Sequence, residues 1–89
     1  MTVISKLEVK TDEGLMSLLG KKVILFCVNY IYAGDLIGVN ETCVKLENAG
    51  IIYETGNFQN KTWKDHQSLP APIWYVQRAA IESFAENTK

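Results

Sequence analysis

Two cysteines, two prolines, one histidine and one arginine are all this 89-residue chain holds of those types, and each shortage narrows the answer. Cys27 and Cys43 each lie inside an apolar, strand-like run, where a free thiol packs as a small hydrophobe. They are expected to be two buried thiols in a reducing compartment, not a disulfide framework. His66 has no second histidine or Cys-x-x-Cys beside it, so no metal site is expected. Catalysis needs a nucleophile with its base, paired carboxylates in a pocket, or a metal. Asp65-His66 is a local pair with no Ser or Cys placed to join it, and no enzyme is expected. No phosphate-binding glycine loop or nucleotide motif occurs, so neither a cofactor nor a small-molecule substrate is expected. No apolar run approaches the ~20 residues of a membrane span. The start, MTVISKLEVKTDEG, lacks the charged n-region and long apolar core of a signal peptide. A cytoplasmic protein with no membrane partner is the expectation.

What is present reads as one globular domain over 1–89. Hydrophobic residues make up 47% and charged residues 21%, an ordinary soluble balance and not that of a disordered chain. A chain this short buries a limited core, and oligomerisation is a common source of the missing stability. The net charge of −1 and isoelectric point near 5.7 argue against a broad basic surface for nucleic acid. Eight lysines and the single arginine can still cluster after folding.

The spacing predicts a helix over about 11–20, TDEGLMSLLG. Thr11 or Asp12 caps it, Leu15, Leu18 and Leu19 form its apolar face, and Gly20 closes it with φ > 0. Then the period changes. KVILFCVNYIYAG is β-branched and aromatic, read as a first strand, a tight turn near Asn29 and Tyr30, and a second strand running on through YAGDLIGV. Gly34 and Gly38 within it mark bends or bulges. Asn40 to Thr42 is a turn, and a third strand starts near Cys43, with a break expected at Ala49 and Gly50. Residues 56–72 form a long polar loop, IWYVQ is a fourth strand, AIESFA a fifth, and 86–89 a tail. The chain is mainly β: an N-terminal helix followed by a five-stranded, strongly bent, partly open barrel over about 21–85. No internal repeat or low-complexity segment is present.

LLGKKVILF followed by YAGDLIGVN resembles the first conserved block of the Sm and Sm-like (LSm) proteins, and VKLENA resembles its end. VQRAAI with ESF resembles their second block. The likeness runs from about Leu15 to Phe84. The spacing from Gly34 through Asn40 to Asn48 matches the bacterial Hfq type, whereas the long loop is more like the eukaryotic and archaeal proteins. The chain looks like a divergent relative of both branches, with an Sm-like, OB/SH3-like barrel implied.

The resemblance implies a homo-oligomeric ring of roughly five to seven subunits, in which the fourth strand of one copy pairs with the fifth of the next. The residues point the same way independently. A five-stranded open barrel has two edges, and neither IWYVQ nor AIESFA carries a central proline or inward lysine to protect one. Ile73, Tyr75, Val76, Ile81 and Phe84 are therefore expected at the subunit interface. The family binds single-stranded RNA near the pore with a stacking group, an amide and a cation. By position, Asn40 and Thr42 in one turn and Gln77 and Arg78 in the other correspond to that site, with no stacking side chain in either. Tyr30, at the first turn, corresponds to the opposite ring face. An RNA-binding ring is the first reading. A ring-shaped protein scaffold that has lost RNA binding and docks a partner through its loops is the second.

Overall fold

The computed structural model describes residues 13–89. A 3-10 turn, Leu15–Leu18, leads into β1 (Lys22–Cys27), β2 (Ile31–Val39) and β3 (Cys43–Glu54). Then come β4 (Asp65–Ser68), β5 (Ile73–Gln77), a second 3-10 turn (Arg78–Ala80) and β6 (Ile81–Glu86). All six strands form one antiparallel sheet in the order β4-β3-β2-β1-β6, with β5 also paired to β3. β5 and β6 do not pair, so the sheet is not closed.

The N-terminal helix expected over 11–20 is not formed among the described residues; its proposed caps, Thr11 and Asp12, lie outside them. The turn is flanked by Gly14 at φ 67 and Gly20 at φ 85, and no side chain caps its start. A stretch so short between two left-handed residues cannot recover the cost of nucleating an α-helix. Gly20 does take the positive φ expected of it. Its N–H donates to the Leu36 carbonyl at 2.7 Å, and the Leu36 N–H returns to Lys21 at 2.9 Å. These bonds fasten the chain to β2 before β1 begins.

β1 is apolar on both faces because both are covered. Val23 and Leu25 point into a core completed by Leu15, Leu36, Val44, Leu46 and Val76. Ile24 points the other way, into a smaller cluster with Ala33 and Ile52, against which Phe26, Ile31 and Trp63 pack. The sheet curls around the first cluster. Register shifts between Ala33 and Asp35 and between Leu36 and Gly38 bend β2 where its glycines fall. A Cβ on Gly34 would stand 3.2 Å from both the Ala49 Cα and the Glu47 carbonyl, so glycine permits the close approach of β2 and β3.

β3 is a single twelve-residue strand, not the interrupted one expected at Ala49 and Gly50. It bends at Asn48 instead, where φ is 53 and the side-chain Nδ2 donates to Asp35 Oδ2 at 2.9 Å. It also changes partner there: residues 43–47 pair with β5 and residues 50–54 with β4. The loop expected over 56–72 is correspondingly shorter. β4 occupies part of it, and the Leu69 N–H donates to the Ala49 carbonyl at 2.8 Å just beyond. Pro70 and Pro72, which offer no N–H to a ladder, then separate β4 from β5. The remaining tip, 55–64, is closed by the Lys64 N–H donating to Thr55 at 3.2 Å and a 3.2 Å Lys64–Glu54 ion pair. The final residues lie along the sheet: the Asn87 N–H donates to Lys22 at 2.8 Å, and the Lys89 ammonium sits 4.0 Å from the Trp63 ring centroid.

Candidate nucleic-acid interface

Four of the five residues proposed to touch RNA meet at one end of the sheet. The β2–β3 turn is built by Asn40, whose Oδ1 accepts from the Thr42 N–H at 2.8 Å, the Cys43 N–H at 2.9 Å and the Thr42 hydroxyl at 3.1 Å. This is an Asx turn, the reason asparagine is favoured at such corners. Arg78, at the start of the β5–β6 turn, donates its backbone N–H to the Thr42 carbonyl and its Nη1 to the Asn40 carbonyl, each at 2.9 Å. Gln77 lies directly across from Cys43 in the β3–β5 ladder. Two turns distant in sequence are thus one hydrogen-bonded unit, with Asn40, Thr42, Gln77 and Arg78 all exposed.

The unit carries one cation and one carboxylate, since Glu41 is exposed between Asn40 and Thr42. Among the described residues Arg78 makes no ion pair. Its guanidinium, held by a single backbone carbonyl, keeps donors for an anion. No aromatic ring belongs to the cluster.

Tyr30 is not part of it. It precedes β2, whereas Asn40 follows it, and nine residues of strand separate the two by up to about 30 Å. Tyr30 instead joins Tyr32 and Tyr53, edge-on, with ring centroids 6.1 and 6.3 Å away. Burial raises the pKa of Tyr32, and Cys27, Tyr30 and Tyr53 add to the shift; burial likewise raises that of Cys27. Tyr32 and Tyr53 were not singled out from sequence. The period-two spacing of Tyr30 and Tyr32 was the available signal, but Tyr53 joins them only through the β2–β3 register, which pairs Tyr32 with Ile51.

The proposed interface residues divide into three groups. Tyr75 and Phe84 are exposed, at 59% and 38%. Ile73 is half-buried, and Ile81 is half-buried against the core. Val76, 4% exposed, is a core residue of its own chain, so only its backbone is placed to meet another strand. Among the described residues no three His, Cys, Asp or Glu side chains converge on a metal-sized site, and no helix is long and apolar enough to cross a membrane. Compared with family models, curated proteins and solved structures, the chain matches none of them significantly.

Proposed function

We propose that this chain is a divergent Sm-like subunit whose curled sheet is a partly open barrel. Copies join through the edges of β5 and β6 into a cytoplasmic homo-oligomeric ring of roughly five to seven subunits, and the ring binds single-stranded RNA without catalysis. The observation that carries the proposal is the hydrogen-bonded union of the two turns through Arg78 at one end of a sheet whose β5 and β6 edges are unpaired. The conserved-block resemblance supplies the same two turns as an RNA site. An exposed edge with Tyr75 and Phe84 on it favours pairing with another strand over water. A ring would repeat Arg78 around its centre and concentrate positive potential there despite the net charge of −1.

One observation favours the scaffold reading instead. The Asn40 carboxamide oxygen is committed to its own turn, and no ring is at hand to stack a base. The contacts left for RNA are Arg78, Gln77, Thr42 and the Asn40 amide nitrogen, with the tyrosine cluster available only at the far end. Anisotropy titrations with oligo-U and oligo-A separate the two. The RNA reading expects binding that weakens steeply with salt, falls about tenfold or more with Arg78→Ala, and is largely retained with Arg78→Lys. A ring-sized assembly with no measurable affinity for either oligomer at low salt leaves only the scaffold.

A further inference from the structure

A second site lies on the outer face of the sheet, the face opposite the main core. There the chain around Trp63 leans over β1 and β2, packing the indole against the Ile24, Ala33 and Ile52 cluster. A cavity of about 540 Å³ remains beneath it, within the roughly 300–1,000 Å³ typical of small-ligand pockets. Its floor is low where Ala33 carries only a methyl group, and Gly34 beside it contributes backbone. Lys22 of β1 and Lys89 of the final segment bring ammonium groups to it, and His66 of β4 brings an imidazole. None of its lining residues belongs to the turn cluster.

The lining side chains set two ammonium groups against one carboxylate, Asp35, and Asp35 Oδ2 already accepts from Asn48. Lys22 makes no side-chain hydrogen bond or ion pair among the described residues. Lys89 is steadied over Trp63 and by the Asn57 carbonyl at 3.4 Å, contacts that orient an ammonium without neutralising it. The Trp63 indole forms part of the same wall. Thr62 and Asn87 add polar groups at the rim. We infer that this cavity binds a small phosphate ester. A phosphate monoester carries about −1.5 to −2 charge at neutral pH and three acceptor oxygens on one centre, which suits a cavity lined by two lysines. The volume left over, walled by indole and floored by Ala33 and Gly34, takes the organic part.

Calorimetric titration of the full chain at low ionic strength tests this with a nucleoside 5′-monophosphate, a sugar phosphate, the parent nucleoside and a dicarboxylate. At least one ester should saturate one site per chain, and the nucleoside should not bind. Which ester binds more tightly identifies the organic part. Lys22→Gln and Lys89→Gln should each weaken binding about tenfold, while Arg78→Ala leaves it unchanged. Lys22 is exposed and, among the described residues, its side chain has no polar partner, so its replacement preserves the fold even if Lys89→Gln loosens the loop. The inference is overturned if neither ester binds at millimolar concentration, if the dicarboxylate is preferred, if Lys22→Gln has no effect, or if Arg78→Ala abolishes binding.

Discussion

The Asn40 oxygen accepts three hydrogen bonds, two from backbone N–H groups of its own turn, and the Asn40 carbonyl receives Arg78. One side chain therefore shapes the corner on which the cation rests. Aspartate would offer the same acceptor. Asn40→Asp should leave stability nearly unchanged, whereas Asn40→Ala should lower it by about 1 kcal/mol. Chemical denaturation with an unchanged m-value reads this directly. An Asn40→Ala protein as stable as the parent would show that the turn does not depend on its Asx bonds. RNA measurements on Asn40 variants must accordingly be set beside their stability, because the residue acts on Arg78 through the backbone.

Among the elements, β4 depends most on its neighbour. Asp-His-Gln-Ser has little intrinsic preference for extended structure, and it pairs only because β3 presents the stretch around Ile51 and Ile52 to it. Gly50 makes room for that pairing: a Cβ there would meet His66 Cε1 at 2.7 Å and the Gln67 carbonyl at 2.9 Å. Gly50→Ala should cost roughly 1–3 kcal/mol, as overpacking does, and should act locally. Hydrogen exchange should show His66 to Ser68 losing protection while β1 and β2 keep theirs; uniform loss, or none, would contradict the local account. The same elements explain what was legible beforehand. β1, β2, β5 and β6 announce themselves through apolar and aromatic runs, and the bulges through Gly34 and Gly38. β4 has no such run, because its strand state is imposed from outside. Leucine spacing suggests the helix over 11–20 because it registers a buried face, but it does not register the positive φ of Gly14 at the start of the turn. The turn cluster could be located only through the resemblance, and the cavity under Trp63 not at all, since Lys22, His66 and Lys89 are far apart in the chain.

For the whole molecule, the outer edges of β5 and β6, like that of β4, are left unpaired by single-chain packing. Light scattering after size exclusion should give a mass several times 10.0 kDa and larger than a dimer. Phe84→Asp, placing a charge at an exposed edge position, should shift that mass toward the monomer while the far-ultraviolet circular dichroism spectrum is kept. A stable monomer at micromolar concentration in the parent protein would refute pairing between edges. The segment between those edges has a further consequence. Arg78–Ala80 is three residues long and is tied down at both ends, by Arg78 to the β2–β3 turn and by the Ala80 carbonyl to the Val28 N–H at 3.0 Å. In a head-to-tail assembly, the direction in which one edge leaves relative to the other fixes how many copies complete a circle. Subunit number in the proposed ring is then a matter of polygon geometry and not of affinity. A rotation of roughly 10° at this pinned corner would add or remove a copy while leaving the strand pairing between copies the same.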